Sequence, residues 1–449
     1  MDKQYDVIVL GSGNAGMAAA GTVRAAGKSV AIIEDRDVGG TCPIRGCVPK
    51  KVLVAAAEAL HQIERAAEHH IQVNGASLDW PALIKREQSF VSGVSEDFAK
   101  SLRGRGIDLH KGSAKFVGRD TISQERDRLK GDSIVIATGS YPRPLPIDGA
   151  EQLITSEEIL SLADRPDSLI FIGGGVIALE FAHVFARAGT KVTILEAAPA
   201  LLPRFDRDAV DALAEESRRI GIEIYTDVNV TRIESRGERV TLHFDLGGEA
   251  RVLSADQVAN GTGRVPDVER LDLGAGGIEH VGPRIAVDKY LRSVSNPSVY
   301  VAGDALWSSA QLSPVATYEG KLVAENVLNG PTKVPDYRAI PASVFSVPAL
   351  ATVGLTESEA VAKGLPFVIK VNDMREWRSA RTQAESVAYS KVLLDEEGGR
   401  ILGAHLVGHG SAEIIHLFAF AMQHGVTALD LKETVYAYPT FASDIKYLV

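Results

Sequence analysis

The sequence predicts an α/β protein built on two copies of one strand–turn–helix–strand unit, and three observations carry that prediction. First, DVIVLGSGNAGMAAAGTVRAAGKSVAIIED (6–35) and SLIFIGGGVIALEFAHVFARAGTKVTILEA (168–197) repeat one pattern 162 residues apart. Gly11 aligns with Gly173, Gly13 with Gly175, Gly16 with Ala178, Gly27 with Gly189 and Glu34 with Glu196. Second, each copy reads as a short apolar strand, a glycine turn, an alanine-containing helix and a second apolar strand ending in Glu, the order of a parallel β-α-β unit. Third, 449 residues with 45% hydrophobic and 24% charged side chains are enough for two to four domains with cores of their own.

Each part of the repeat has a physical reason. The first Gly permits the tight turn, the second lets the backbone approach a pyrophosphate, and the third, or an Ala, lets helix and strand pack closely. The helix N-terminus offers free N–H groups to the phosphates, and the terminal Glu accepts from a ribose hydroxyl. One such glycine turn is weak evidence, because strand–helix turns use glycine structurally; two with matched spacing point to two dinucleotides and to electron traffic between them.

The formal net charge of −10 argues against nucleic acid or an anionic membrane as the main partner. Apolar stretches such as DVIVL are short and end in glycine, so no membrane span is expected. The opening MDKQYDVIVLGSG runs into a strand and turn without a signal-peptide pattern, from which a cytoplasmic location is expected. Cys42 and Cys47 are the only two cysteines, five apart in GGTCPIRGCVPKK (39–51). A closed zinc site wants four soft ligands and no second Cys/His cluster accompanies them, so no metal site is expected. Taken alone, the spacing is compatible with two inert buried thiols or with a redox pair.

With these motifs the chain resembles, over essentially its whole length, the class I pyridine nucleotide–disulfide oxidoreductases, the family of dihydrolipoamide dehydrogenase, glutathione reductase and mercuric reductase. GSGNAG with Gly11, Gly13, Gly16 and Glu34 resembles the FAD-ADP site, and GGTCPIRGCVPKK, with Gly40 and Thr41, the redox-disulfide segment. IATGS, with Thr138 and Gly139, and GTGRVPD, with Gly263, resemble the crossings between FAD and nicotinamide domains. VYVAGDA, with Gly303 and Asp304, is similar to the second FAD motif, and SVFSVPALATVGLTE to the start of the dimerisation domain. The resemblance implies two Rossmann-like dinucleotide-binding domains, for FAD and NAD, plus a C-terminal α+β dimerisation domain. It places an FAD domain with the redox disulfide at 1–147, an NAD(P) domain at 148–267, a central domain completing the FAD site at 268–335 and an interface domain at 336–449. It also implies a homodimer in which the C-terminal segment completes the other subunit's site.

The resemblance makes Cys42 and Cys47 a disulfide that NADH reduces by way of FAD. Cys47 is then the flavin-proximal thiolate of the charge-transfer complex, Cys42 the interchange thiol, Lys51 the lysine near flavin N5 and Glu180 its salt-bridge partner. Without the motifs, Lys51 and Glu180 read as a solvated surface pair. In an ideal helix residues five apart have Cα atoms roughly 8–9 Å apart, beyond the reach of a disulfide. If the two cysteines join, the chain between them is therefore not regular helix; Pro43 and Gly46 suit such a break, and the helix is expected to follow Pro49.

Glu196, where a carboxylate repels a 2′-phosphate, and Ala197 and Pro203, where NADP-using relatives carry Arg, favour NADH over NADPH. Ala178 and Arg204 lean the other way. At the C-terminus, disulfide-reducing members carry His-Pro-Thr and then Glu; this chain reads YAYPTFASD, with Tyr438 at the His position, Ser443 at the Glu position and Asp444 beside it. A phenol is a poor base at neutral pH. His405, His409, His416 and His424 read as core or surface residues, and Val176 stands where glutathione reductases usually carry a gating Tyr. Three readings follow. The first is an NADH-dependent flavoenzyme reducing a small-molecule acceptor: a quinone, a metal ion or a small disulfide. The second is a dihydrolipoamide dehydrogenase or glutathione-type reductase with Tyr438 or water replacing the base. The third is a non-catalytic NADH-binding flavoprotein.

Overall fold

The runs VIVL (7–10) and VAIIE (30–34) are apolar at nearly every position, and every residue of both is buried, as strands covered on each face require. The two lie parallel, Val7 opposite Val30 and Leu10 opposite Ile33. In the computed structural model, which describes residues 2–125, 127–237, 239–396 and 399–449, the chain falls into two units. The first gathers Met1–Lys50, Arg86–Arg143 and Arg264–Asp336; the second gathers Lys51–Lys85, Pro144–Gly263 and Tyr337–Val449.

The first unit is built on a seven-stranded sheet. Asp108–Lys111, Val30–Glu34, Asp2–Leu10 and Asp127–Ile136 run parallel in that order, and Val299–Val301 adds a further parallel strand beside Asp127–Ile136. Thr121–Gln124 and Ala114–Gly118 continue it antiparallel. The helices Asn14–Ala25 and Ser313–Asn329 bury Ala19, Ala20, Val23, Val323 and Ala324 in the core formed with Ile8, Leu10, Ile32 and Ile134. Where two such strands end side by side their carboxyl termini open a crevice, the usual ligand position in open α/β sheets.

The second unit holds the other copy of the repeat. Glu223–Tyr225, Lys191–Leu195, Ser168–Ile172 and Gln257–Asn260 form a parallel four-stranded sheet, with the helix Val176–Arg187 following the glycine turn. A three-stranded antiparallel sheet, Val228–Arg236, Arg239–Leu246 and Glu249–Ala255, is separate from it. Residues from 342 onward make a five-stranded antiparallel sheet whose strands Leu350–Gly354 and Ile401–Val407 pack with the helix Ser411–His424 through Ala351, Val353, Leu406, Ile415 and Phe418. The α/β class with a C-terminal α+β portion is thus what the chain adopts. Among the described residues no helix is long and apolar enough to cross a membrane.

Candidate active site

The two glycine turns adopt one geometry. Gly11 and Gly173 have φ of +102° and +95°, and a Cβ on either would stand 2.3 Å from Ala137 O or 2.6 Å from Gly261 O, so only glycine fits. The acid ending each second strand turns back to brace its own loop. Glu34 accepts from Ser12 N at 2.8 Å, Ser12 Oγ at 2.6 Å and Arg36 N at 2.8 Å. Glu196 accepts from Gly174 N at 2.5 Å and Ala198 N at 2.7 Å. A carboxylate offers about four lone-pair sites, so each retains capacity for a ribose hydroxyl. The bracing N–H groups were not apparent from the repeat alone, although the equal spacing of turn and acid is its signature.

In the first unit a cleft of about 830 Å³, counting space open to solvent, is lined by Gly11, Gly13, Glu34, Gly40, Thr41, Thr138, Gly139 and Asp267, among others. Gly40, at φ +75°, lies so close to Gly13 that a Cβ would come within 2.5 Å of its Cα. That contact brings the segment before Cys42 against the glycine turn. Among the described residues, Thr138 Oγ1, buried in this wall, has no hydrogen-bond partner. A buried hydroxyl without a partner is costly, and a ligand that bonds it removes the cost. Asp304 is nearly buried, and burial raises its carboxyl above the ordinary value. It accepts from Ser140 Oγ at 3.0 Å, and Arg264 Nε donates to the same oxygen at 2.9 Å. Glycine walls, an open acid and an unpartnered hydroxyl are what an adenine dinucleotide needs, and FAD fits the site on these grounds.

Cys42 lies in the short helix Thr41–Arg45 and Cys47 opens the helix Cys47–Glu64. The break falls at Gly46, with φ −142° and ψ −113°, so the chain between the cysteines is not regular helix, as a joined pair requires. The second helix starts two residues before Pro49 rather than after it, Pro being tolerated in a first turn whose N–H groups have no intrahelical acceptor. The two cysteines are not joined by a disulfide in this structure; Cys42 is half-buried and Cys47 exposed. The Cys42 thiol is lowered to about 6, first by a hydrogen bond from the Cys47 side chain, against the opposing effect of burial, with further help from Ser313, the Cys47 backbone and Asn14. A thiolate therefore predominates at neutral pH, the form that attacks electrophiles and binds soft metals.

Lys51 and Glu180 are both placed in the second unit. Lys51 Nζ pairs with Glu58 Oε1 at 3.1 Å and lies 4.3 Å from the centroid of the Phe345 ring. Glu180, buried, accepts from Phe345 N at 2.9 Å. Phe345 thus touches both residues, and Lys51's ion pair is with Glu58, two turns along its own helix. Two further side chains of the same helix join Glu180 on this segment. His183 Nδ1 accepts from Val347 N at 3.2 Å, and Arg187 donates to Val347 O at 2.8 Å. Burial pushes His183 down to about 3, so it is a neutral acceptor and core residue. No signal in the sequence marks this three-residue clamp, because its partners lie some 160 positions away along the chain.

Tyr438 is exposed, in a stretch with exposed Val435. Ser443 is buried and donates to Thr440 O at 2.6 Å, closing a turn with Thr440. Asp444 accepts from Ser379 Oγ, and burial raises its carboxyl. Ser443, at the Glu position, and the neighbouring carboxylate Asp444 are thus both engaged with other partners. Leu417, Phe420, Leu429 and Tyr447 are exposed apolar side chains of the same C-terminal region. Among the described residues no group of three or more His, Cys, Asp or Glu is placed to hold a metal ion.

Comparison with known proteins agrees with this architecture. The family model described as pyridine nucleotide-disulphide oxidoreductase matches residues 5–320, and its dimerisation domain matches 340–449. A mercuric reductase of Bacillus cereus is 32% identical over 450 aligned positions, 99% of this chain and 71% of that protein. A dihydrolipoyl dehydrogenase of Chlamydia muridarum is 30% identical, over 98% of this chain and 95% of that protein. The solved structure of the Cu(II) complex of HOCl-induced flavoprotein disulfide reductase RclA from Escherichia coli matches with a TM-score of 0.88 and 29% identity, covering 99% of each chain.

Proposed function

Because the chain belongs to the pyridine nucleotide-disulphide oxidoreductase family, whose members use FAD and NAD(P)H, we propose that it is an NADH-dependent enzyme that reduces a thiophilic metal ion through Cys42 and Cys47. The observation that carries this reading is the cysteine pair itself, an exposed Cys47 five residues from a half-buried Cys42 across a helix break at Gly46. FAD, when bound, passes electron pairs between the nicotinamide and the cysteines. Gly11, Gly13, Gly16, Glu34, Gly40, Thr41, Thr138, Gly139, Gly303 and Asp304 are assigned to hold it, and Gly173, Gly175, Glu196 and Gly263 to hold the nicotinamide dinucleotide. Lys51, with Glu180 behind it, is assigned to steady charge on the flavin.

The acceptor chemistry follows from the pair. The reduced cysteines together release two electrons on forming a disulfide, enough for one Hg(II) to Hg(0) or two Cu(II) to Cu(I). Soft metal ions bind thiolate directly, and their reduction needs no acid to protonate a departing thiol. An exposed Tyr438 in place of a base is no handicap to that reaction. Relatives named as mercuric reductases, and the Cu(II) complex of a structural relative, support the same class of acceptor. The relatives are oxidoreductases, which sets aside the non-catalytic reading. The exposed apolar C-terminal side chains and the matched dimerisation domain support a homodimer in which this segment meets the partner's site. The domain limits we propose are those read from the sequence.

A panel of acceptors tests the proposal: purified protein, NADH and, anaerobically, Cu(II), Hg(II), a quinone, lipoamide or glutathione disulfide. Turnover is expected to be fastest with a metal ion. Equal or faster turnover with lipoamide or glutathione disulfide supports the second reading, a disulfide reductase.

Coenzyme choice is a separate expectation. Glu196 is assigned to the ribose, and Ala197 and Pro203 are exposed small side chains that offer no charge to a 2′-phosphate. NADH should outperform NADPH in kcat/KM. Arg at 197 and 203 should improve NADPH by about 10- to 100-fold, the equivalent of one charge-assisted hydrogen bond of about 1.5–3 kcal/mol. Equal wild-type kcat/KM for the two coenzymes contradicts the assignment.

A further inference from the structure

Glu385 lies inside the second unit with its side chain 1% exposed. A carboxylate buried that far is costly unless it is paired, and three groups from distant parts of the chain surround it. Arg65, just past the helix Cys47–Glu64, donates to Glu385 Oε1 and, at 2.6 Å, to Gln383 O. His61, buried in the last turn of that helix, places Nε2 3.9 Å from Glu385 Oε2 and Nδ1 3.7 Å from Glu64 Oε2. Half-exposed His409 places Nδ1 3.5 Å from Glu385 Oε1. Burial would raise the Glu385 carboxyl, but His61, Arg65 and His409 together hold it below its ordinary value.

The same stretch of chain holds the C-terminal segment. Glu385 N donates to Ala380 O at 3.0 Å, which folds the residues after the helix Arg378–Thr382 back onto it. From this bracket Ser379 Oγ donates to Asp444, and the Trp377 ring meets Tyr447 edge-on with centroids 6.0 Å apart. The His409 ring lies against Phe441 at 5.0 Å. Phe441, Asp444 and Tyr447 are thus anchored, while Tyr438, just before them, is exposed.

We infer that Glu385 is a positioning residue: it fixes the bracket 377–385 and His409 to the end of the helix that begins at Cys47, and through them sets where the Tyr438 segment projects. A carboxylate suits the task because its two oxygens meet Arg65, His61 and His409 at once, and burial keeps salt from screening those contacts. The inference rests on the proposed function in one respect, that this segment meets the partner's site. Metal reduction asks no proton transfer of the segment, so its displacement weakens acceptor binding and leaves electron transfer in place.

Glu385→Gln, which keeps the shape and an acceptor for Arg65 but removes the charge, tests this in the FAD-loaded protein. Hydrogen–deuterium exchange is expected to quicken in 377–385 and 435–449 and to keep its wild-type rate elsewhere. KM for the fastest acceptor of the panel should rise about 10-fold, while kcat and flavin reduction by NADH change by less than about twofold, the pattern of lost binding. His409→Ala, at a half-exposed position, should quicken exchange in 435–449 and raise KM in the same way, and decides alone if Glu385→Gln fails to fold. Exchange that is unchanged in 435–449, or quickened throughout the second unit, overturns the positioning role. Faster exchange confined to these segments with an unchanged KM overturns the reading that the segment serves the partner's site, and leaves the bracket standing.

Discussion

Cys42→Ser is expected to abolish NADH-driven metal reduction, by on the order of 10³-fold or more, as removal of a nucleophile does. The same variant should keep the long-wavelength absorbance of a thiolate beside oxidised flavin, because Cys47 remains. Cys47→Ser should lose that band and also lose turnover. The two variants separate the roles cleanly: both break the two-electron store, and only one removes the flavin-side sulfur. The lowered Cys42 thiol sets a pH profile as well. Its thiolate is present above about pH 6 and is lost as pH falls through that value, so metal turnover should decline in acid with a midpoint near 6 and stay level toward pH 8. Loss of the band in Cys42→Ser and its retention in Cys47→Ser would invert the assignment.

The second large effect concerns Tyr438. A positioned base contributes roughly 10²–10⁴-fold to proton transfer. Thiol–disulfide exchange needs such a base to manage the protons of the dithiol, and metal reduction does not. Wild type should therefore reduce lipoamide or glutathione disulfide at least about 10²-fold more slowly than Cu(II) or Hg(II). Tyr438→His should raise the disulfide rates and leave the metal rates in place. The obvious companion, Ser443→Glu, is a poor choice in this chain. Ser443 is buried and its hydroxyl donates to Thr440 O, so a carboxylate there would be desolvated and the turn would lose its bond. The double variant is expected to be less stable than Tyr438→His alone and no faster. Disulfide rates in wild type that match the metal rates would show that Tyr438 is no limitation.

What the sequence makes legible here is what is local. The glycine turns, the strand-ending acids and the break between the cysteines each depend on residues within one β-α-β unit or one turn, and each recurs in the structure. Gly11 and Gly173 share one conformation, and Glu34 and Glu196 brace their turns alike. Gly46 interrupts the helix where the cysteine spacing requires a break. The remaining features depend on side chains brought together across long stretches of chain. Lys51 pairs with Glu58 two turns along its own helix, and Glu180 accepts from the backbone of Phe345, 165 positions on. Asn14 occupies a variable position of the glycine motif, and only the close crossing at Gly320 gives it Ser313 as a neighbour. Ser313-Pro314 does carry a local signal, a polar residue and Pro opening a helix, which marks where that helix starts but not what it meets.

The central claim is that reducing equivalents from NADH reach Cys42 and Cys47. Its most direct test is a thiol count on the oxidised FAD-loaded protein, before and after one equivalent of NADH without oxygen, by alkylation and peptide mass spectrometry. The account predicts that both cysteines are blocked before NADH and that Cys42 and Cys47 become alkylated together after it. Cysteines already free in the oxidised protein, or a flavin bleached by NADH with no new thiol at either position, would contradict it.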